Sequence, residues 1–256
     1  MPISAEIEGQ TAIVRLENVG KKNAITIRMR SEMQEVFQSL QDRPAVRAIV
    51  LTGAGDDFCA GADIREAGPE DIEGAMWRMR LLQRMVRSVA TTGKPVIAAV
   101  CGVCVGVGWS LALACDFVIA ATNSRFQFAF RNIGLAPDGG VAFLLSRYVG
   151  LMRAKELLYS GRFVDGVEAQ SLGLALEALP SSEVLTRAKA IAADFGNAAT
   201  LALMMTKRQL DAVPGQSLDQ AFEFEALIQP LMTRTDDYNE GLRAFRERRL
   251  PVYKGS

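Results

Sequence analysis

Histidine is absent from this sequence of 256 residues. It is the side chain whose ordinary pKa lies closest to neutral pH, so its absence removes imidazole as a general base, as the partner of a nucleophile and as a metal ligand. Catalytic triads that pair a histidine with serine or cysteine are therefore excluded.

An excess of either charge is also lacking, because 29 basic residues are balanced by 29 acidic residues. With no basic excess for a phosphate backbone and no polybasic segment, nucleic acids and membrane surfaces are not expected as partners. The N-terminal segment MPISAEIEGQ carries an acid where a signal peptide would have its basic and apolar regions. We therefore expect a cytoplasmic location.

Cysteine is scarce, with four residues in the chain. Four are too few to hold a fold of this size together by disulfides, and buried reduced thiols suit a cytosolic protein. Cys101 and Cys104 form one CxxC pair, but no second pair completes a zinc site. We interpret the cysteines as small apolar residues and expect no metal site.

One uncharged run covers twenty residues, from Val96 to Cys115, a length that could cross a bilayer. Glycine, alanine, serine and cysteine fill about half of it, so a membrane helix is not favoured. It lacks the third glycine of a dinucleotide-binding fingerprint and the Gly-Lys-Ser/Thr of a P-loop. We predict a buried strand, a tight glycine turn and a buried helix, whose first N–H groups can hold an anion or a polarised carbonyl oxygen.

Strand and helix patterns alternate in the first two thirds of the chain. Thr11–Glu17 alternates like a strand, an amphipathic helix follows, and a short apolar strand runs from Arg47 to Gly53. A second helix is predicted over Asp71–Ala90, ahead of the strand VIAAV. This repetition predicts an α/β fold with buried parallel strands.

After about Ser182 the pattern changes to helices alone. Ser217 and Gln220 have the spacing of a capping box, and Thr235 precedes an acidic first turn. We therefore predict a core over residues 1–181 and a helical region over residues 182–256, which need not be an independent domain.

Three segments of the core carry a family resemblance. They read FCAGADI at Phe58–Ile64, GVCVGVGWSLALACD at Gly102–Asp116 and FAFRNIGLAPDGG at Phe128–Gly140. In this order and spacing they resemble the crotonase, or enoyl-CoA hydratase/isomerase, superfamily, and the resemblance extends from Leu16–Ile25 to Arg248–Tyr253. It implies a spiral of β-β-α units, a helical C-terminal region that forms trimers or pairs of trimers, and an acyl-CoA thioester as substrate.

Members of this superfamily hold the thioester oxygen between two backbone N–H groups. By resemblance these groups belong to Ala60 and Val107, although many members have glycine at the second position. Polarising the carbonyl stabilises the enolate that forms when the neighbouring carbon loses a proton. Loss of one such donor typically costs about 3 kcal/mol of transition-state stabilisation.

The acids around this oxyanion hole decide the reaction. Family hydratases activate water with two glutamates, whose positions correspond here to Ser110 and Phe130, and neither of these can take up a proton. The acid that remains is Asp138. It matches the single carboxylate of isomerases, which moves a proton between two carbons of the enolate, and it is also well placed to cap the following helix. In related aryl-CoA dehalogenases the matching Asp is a nucleophile assisted by a histidine, which this chain lacks.

Aromatic residues are expected around the acyl group. Phe126, Phe128 and Phe130 alternate, so they would share one side of a strand, where core packing accounts for at least two of them. By resemblance Phe130 borders the substrate together with Trp109 and Ser110. These rings would favour an apolar or ring-bearing acyl group.

The resemblance also implies a binding site for the CoA moiety. The backbone of Ala62, Asp63 and Ile64 is expected around the adenine, with Lys22 and Lys254 close to the phosphates. The Asp63 side chain is expected to brace its loop as a hydrogen-bond acceptor rather than to act as a catalyst. No cofactor is expected beyond the CoA carried by the substrate.

Three functions stay open at this point. The first is an acyl-CoA isomerase that shifts a double bond, or opens a strained ring such as the epoxide of a phenylacetyl-CoA derivative, with Asp138 as the proton shuttle. The second is a hydratase or lyase that uses another acid, such as Glu66 in the loop after Asp63. The third is a member without catalytic activity that binds acyl-CoA or a protein partner.

Overall fold

The structure is a computed structural model that describes residues 2–66, 68 and 71–256. Strands and helices alternate through most of the described chain. The strands are β1 (Ile3–Glu8), β2 (Thr11–Leu16), β3 (Ala48–Gly53), β4 (Val96–Val100), β5 (Val103–Val105), β6 (Phe117–Ala121), β7 (Arg125–Gln127), β8 (Phe163–Val164) and β9 (Glu177–Leu179). The helices are α1 (Ile27–Gln41), α2 (Ile72–Ala90), α3 (Val107–Ala114), α4 (Val141–Ser160), α5 (Gly166–Ser171), α6 (Ser181–Gly196), α7 (Thr200–Ala212), α8 (Leu218–Met232) and α9 (Asp236–Glu247).

A six-stranded sheet forms the centre of the molecule, with the order β1-β2-β3-β4-β6-β9. β1 pairs antiparallel with β2, and the other pairs are parallel. All five residues of β4 are buried, as are the first five of β3. Continuous apolar strands of this kind are typical of parallel strands covered on both faces, and the predicted α/β fold is confirmed.

The uncharged run from Val96 to Cys115 is divided among three short elements, β4, β5 and α3. Gly102 and Gly106, both at positive φ, separate them, because backbone in this region suits glycine. β5 leaves the central sheet and joins a second sheet with the order β5-β7-β8. No helix in the described ranges is long and apolar enough to span a membrane.

Helices cover both faces of the central sheet. α1 and α2 pack together, and buried residues of both, such as Met33 and Met85, belong to the main core. On the other face, Val184 and Ala188 of α6 pack in a cluster with Val50 of β3. α6 belongs to the predicted helical region, yet it packs on the central sheet. The predicted division between residues 1–181 and 182–256 follows the change from mixed strands and helices to helices alone, and it stays a prediction as a domain boundary.

The last two helices, α8 and α9, begin with the signals found in the sequence. Ser217 and Gln220 form the predicted capping box at the start of α8. The Thr235 side chain accepts a hydrogen bond from the Tyr238 N–H at the start of α9. These two helix starts are confirmed because local hydrogen bonds decide them.

Candidate active site

Two glycine-rich turns lie side by side at the C-terminal ends of β3 and β5. The Cys59 N–H donates to the Val103 carbonyl and the Val105 N–H donates to the Cys59 carbonyl, each at 2.9 Å. A Cβ atom on Gly108 would lie 2.6 Å from the Cys59 carbonyl oxygen. Close backbone contact thus brings the turn around Gly61 next to the first turn of α3.

Each turn contains backbone N–H groups without a backbone acceptor among the residues that the structure describes, and Val107 and Ala62 are two of them. Val107 is the first residue of α3, where an N–H has no partner within the helix. Positive φ falls on Gly106 and not on Val107, so a valine fits this turn. In the other turn the unpaired N–H belongs to Ala62, whose neighbour Asp63 donates to the Ile25 carbonyl.

The prediction for Ala60 is wrong. Its N–H donates to the Lys22 carbonyl at 2.8 Å, so it is already paired within the protein. The N–H that is left unpaired lies two residues later, at Ala62. Sequence spacing located this turn, but the hydrogen bonds of the folded backbone decide which of its N–H groups points away from the core.

Asp138 lies next to the first turn of α3. A Cβ atom on Gly139 would lie 3.0 Å from Ser110 Oγ and 3.4 Å from Val107 Cγ2, and Gly139 has a φ of 61°. This glycine therefore lets the backbone directly after Asp138 rest on α3. Ser110 is fully buried beneath it, and its hydroxyl makes a long bond of 3.4 Å to the Gly106 carbonyl.

Asp138 does not cap α4 with its side chain. The N-cap residue is Gly140, and no side chain caps the helix. Asp138 contributes its backbone carbonyl, which accepts from the Val141 N–H at 3.2 Å. The capping alternative thus finds no support in the structure.

The Asp138 carboxyl group is half-buried and unpaired. Its Oδ1 atom is inaccessible and has no hydrogen-bond partner in the described chain. Burial raises the pKa of Asp138, and the positive charge of Arg30 on α1 acts in the opposite direction. A carboxylate with a raised pKa beside unpaired backbone donors has the properties of a proton acceptor for a polarised substrate.

The aromatic residues form a stack behind this site. Phe126 lies in β7, whereas Phe130 begins a 3-10 turn over Phe130–Ile133, so the predicted strand ends before Phe130. The Trp109 ring stacks on Phe128 with centroids 4.1 Å apart and lies 5.0 Å from Phe126. Trp109 is 1% exposed and Phe130 8%, which makes Trp109 a core residue and leaves Phe130 nearer the surface.

Comparisons with known proteins identify the family. A family model described as enoyl-CoA hydratase/isomerase matches residues 6–256. The chain belongs to this family. Family members are enzymes that act on acyl-CoA thioesters, and the predicted resemblance is confirmed.

Individual members of the enoyl-CoA hydratase/isomerase family match nearly the whole chain. A Thermus thermophilus protein provisionally named enoyl-CoA hydratase is 37% identical, over 96% of this chain and 98% of that protein. The 1,2-epoxyphenylacetyl-CoA isomerase of Escherichia coli is 31% identical, over 99% of this chain and 98% of that protein. The crystal structure of an enoyl-CoA hydratase from Bacillus anthracis superimposes with a TM-score of 0.95 at 29% identity, covering all of both chains. The crotonase fold is therefore confirmed, while the names include both hydratases and isomerases.

The predicted CoA residues of this family member lie in two places. Ala62 and Ile64 are exposed in the turn after β3, where the Lys22 ammonium is 3.7 Å from Asp57. Asp63 braces the turn as predicted. Its buried carboxylate accepts from Lys21 at 3.1 Å and from the Arg65 side chain at 2.9 Å, and the bonds from Arg65 lower the pKa of Asp63.

Lys254 lies at the other end of the sheet. Its carbonyl accepts from Arg47, which precedes β3, and its N–H donates to Asp237 at 2.6 Å. Lys22, in contrast, contacts Asp57 after the end of β3, a strand of six residues that is roughly 17 Å long. The structure therefore does not bring Lys254 to the other predicted CoA residues of the same chain.

The sequence did not predict the interactions of two charged residues near the site, Arg30 and Glu66. The positive charge of Arg30 on α1 acts to lower the pKa of Asp138, and Glu66 accepts a hydrogen bond from the Ile27 N–H at 2.6 Å at the start of the same helix. One sequence signal existed for Arg30. It follows Met29 and precedes Met33, so it borders the buried stripe of an amphipathic helix, where an arginine has to find a polar partner.

Proposed function

We propose that this protein is an acyl-CoA isomerase that moves a proton through an enolate, with Asp138 as the base that removes and returns it. The observation that carries this proposal is the unpaired, half-buried Asp138 carboxyl group beside the first turn of α3. Ser110 and Phe130 occupy the positions of the two hydratase glutamates, so a single carboxylate is available for the chemistry.

The proposed reaction is balanced in protons and electrons. The Asp138 carboxylate takes a proton from the carbon next to the thioester, and the C–H electron pair moves toward the thioester oxygen to form the enolate. For a β,γ-unsaturated chain, the same carboxyl returns the proton to the γ-carbon and the double bond shifts. For an epoxide, the enolate electron pair instead forms a double bond to the adjacent ring carbon while the C–O bond of that carbon breaks, and the Asp138 carboxyl gives the proton to the oxygen that is released. Neither route requires a cofactor beyond the CoA of the substrate.

The enolate oxygen would be held by the N–H groups of Ala62 and Val107. Both are unpaired and belong to turns that close backbone contact keeps together. Preorganised donors of this kind stabilise negative charge that develops on the oxygen, because they need not reorient during the reaction. The turn that contains Ala62 also carries Ile64, and we propose this exposed backbone, with Lys22, as the CoA site.

Hydration through Glu66 is the second candidate function. The Glu66 carboxylate is engaged with the Ile27 N–H, and its backbone carbonyl accepts from Arg78 at 2.8 Å. Both contacts tie Glu66 to helices α1 and α2, which argues for a bracing role. Robust addition of water to a crotonyl thioester that depends on Glu66 would support the hydratase and contradict the isomerase.

The test is isotope exchange in deuterated water. Wild type, Asp138→Asn and Glu66→Gln are each incubated with linear, unsaturated and aryl-acetyl CoA thioesters, and product mass is measured. We expect deuterium uptake or isomerisation in wild type and Glu66→Gln and its collapse in Asp138→Asn. Exchange that survives in Asp138→Asn would overturn the proposal, and tight acyl-CoA binding with no exchange in wild type would favour a binding function.

We also propose that the C-terminal helices join subunits into a trimer or a pair of trimers in the cytoplasm. Phe222 on α8 is 55% exposed, Phe245 on α9 is 84% exposed and Leu250 is 87% exposed. Large exposed apolar side chains grouped in one region are typical of an interface. Light scattering coupled to size exclusion should give three or six times the chain mass, and a monomer would contradict this proposal.

A further inference from the structure

Asn23 is a fully buried amide beside the turn that follows β3. Its Nδ2 atom donates to the Ala54 carbonyl at 2.8 Å and to the Asp57 carbonyl at 2.6 Å. Its Oδ1 atom accepts from the Asn18 N–H at 2.9 Å. Both N–H groups of the amide and its oxygen are therefore paired, and the side chain holds the first part of the turn.

The backbone two residues after Asn23 holds the second part of the same turn. The Ile25 N–H donates to the Gly61 carbonyl at 2.7 Å, and the Ile25 carbonyl accepts from the Asp63 N–H at 2.9 Å. Ile25 thus lies opposite Ala62 in a parallel bridge. A residue whose two neighbours bond to the facing segment directs its own N–H to the other side, so these bonds turn the Ala62 N–H away from Ile25.

The Asn23 backbone has a conformation that few side chains accept. Its φ is 56°, and among the described residues other than glycine a positive φ occurs at Lys22, Asn23 and Arg248. Asparagine tolerates this left-handed region better than most residues. Gly53 leaves room for the side chain, since a Cβ atom there would lie 2.7 Å from Asn23 Nδ2. Both the backbone and the amide of Asn23 therefore suit this position.

We propose that Asn23 is a positioning residue that fixes the direction of the Ala62 N–H, one of the two donors of the oxyanion hole. This inference rests on the proposed function, which assigns both donors to the thioester oxygen. Asn23 acts without touching the substrate. Its amide ties the first part of the turn to its own segment, and Ile25 of that segment orients Ala62.

The two donors differ in how they are held. The Val107 N–H is the first of α3, so the helix itself fixes its direction. Ala62 lies outside the helices and strands, and its direction depends on the contacts of the turn. A donor that is held in place before the reaction stabilises the enolate charge without reorienting. Because this charge is larger on the enolate than on the thioester, a loosened donor should slow the reaction more than it weakens binding.

Three variants test this role in the isotope-exchange assay. Asn23→Gly keeps a residue that accepts a positive φ but removes all three hydrogen bonds of the side chain. Asn23→Ser is a milder change that keeps a hydroxyl group. Gln41→Ala is the control. The Gln41 Oε1 atom accepts from the Thr92 hydroxyl at 2.9 Å and from the Gly93 N–H at 2.7 Å, ahead of β4 at the opposite end of the sheet.

The expected result is a separation of kcat from KM. In Asn23→Gly, kcat should fall about tenfold or more, with KM within about twofold of the wild-type value. Asn23→Ser should lie between Asn23→Gly and wild type. Gln41→Ala also loses the hydrogen bonds of a side-chain amide, so it should be less stable in urea but keep the wild-type kcat.

A second measurement reports on the donors without turnover. Butyryl-CoA is labelled with carbon-13 at the thioester carbonyl, and its carbonyl stretching frequency is recorded free and bound by infrared difference spectroscopy. Donors that polarise the carbonyl lower this frequency, so wild type and Gln41→Ala should show the same downward shift. Asn23→Gly should lose part of the shift, and urea unfolding shows which variants are folded.

The outcomes separate this inference from the proposed function. Wild-type kcat and an unchanged carbonyl shift in Asn23→Gly would show a purely structural role and overturn the inference, and so would equal losses in Gln41→Ala. If Asn23→Gly does not fold, Asn23→Ser decides by the same two measurements. Collapse of exchange in Asp138→Asn would leave the proposed base standing in each case. A wild-type protein that causes no carbonyl shift would remove the oxyanion hole from both proposals.

Discussion

The turn after β3 and the turn before α4 each carry an aspartate, yet the two carboxylates have opposite surroundings. Asp63 is 6% exposed and is surrounded by donors from Lys21 and Arg65. Asp138 is half-buried, and its Oδ1 atom has no partner in the described chain. The bonds to Asp63 lower its pKa, whereas burial raises that of Asp138.

This difference separates a structural acid from a candidate catalytic one. A carboxylate whose lone pairs are filled by cationic donors is stabilised in the charged form and has little tendency to take up a proton. A desolvated carboxylate without donors binds a proton more readily, which is the property that a general base requires. Residue type alone does not distinguish them, because the decisive property is the set of neighbouring groups.

The largest expected effect comes from removing the base. Asp138→Asn should lower isotope exchange by about 100- to 10,000-fold, because an amide cannot accept the proton. Asp63→Asn should lower the exchange rate far less than Asp138→Asn, provided that only folded protein is assayed. Equal losses in the two variants, measured with the same thioester, would erase the proposed distinction between the two acids.

Separating the two turns should be the next most damaging change. In Gly108→Ala the added methyl carbon would meet the Cys59 carbonyl at 2.6 Å, so the turns that carry Ala62 and Val107 have to move apart. We expect a cost of about 1–3 kcal/mol in the free energy of unfolding, as for other overpacked sites, and a large loss of exchange.

The control for this substitution is Gly20→Ala. A Cβ atom there meets nothing within 4 Å, and the residue has no positive φ. Its stability and exchange should equal those of wild type. If Gly108→Ala also had the stability and exchange rate of wild type, close contact between the turns would not be needed to position the Ala62 and Val107 N–H groups.

The two acids should also affect stability in opposite directions. The pKa of Asp138 is raised by folding, so its ionised form opposes folding above that pKa, and this cost disappears below the unfolded pKa. Asp138→Asn should therefore increase the free energy of unfolding at about pH 8, by on the order of 1 kcal/mol, and give no increase at acid pH.

Asp63→Asn should have the opposite effect on the free energy of unfolding. Because the pKa of Asp63 is lowered by folding, its contribution is present above the unfolded pKa and is lost as the pH falls through the folded pKa. The variant should be destabilised at about pH 8, and the difference from wild type should shrink toward strongly acid pH. Urea unfolding at both ends of the range measures these differences, and two changes of the same sign would contradict the comparison.

The smallest effect is expected at Ser110. Its hydroxyl makes one bond of 3.4 Å, which is long for an O–H donor, and the residue mainly fills the space under Gly139. Ser110→Ala should change the exchange rate by less than about tenfold. A loss as large as that of Asp138→Asn would instead place the hydroxyl in the reaction.

The sequence predicted most of the secondary structure because the signals are local. The periodicity of the hydrophobic residues predicted α1, α2 and the buried strands, and capping residues predicted the starts of α8 and α9. The antiparallel strand β1 and the 3-10 turn at Phe130 were not predicted. Their form depends on neighbouring elements that are remote in the sequence.

The candidate site was predicted in part. The glycine spacing indicated both turns and the position of Asp138, since glycine marks places where the backbone adopts a positive φ or makes close contacts. It could not choose between Ala60 and Ala62, because that choice depends on a bond from Ala60 to Lys22 in a separate segment. It also could not show that the charge of Arg30 acts on the pKa of Asp138, which is 108 residues later in the chain.

The sequence by itself determined the chemistry that is excluded, the family, and the residue types available at the site. The lack of histidine needed no coordinates, and the replacement of both hydratase glutamates is what the family resemblance of the sequence implies. Only the tertiary structure decided which N–H groups are unpaired and which aspartate lacks donors. The physical reason is that the pairing of a polar group depends on atoms within a few ångströms, and folding draws those atoms from distant parts of the chain.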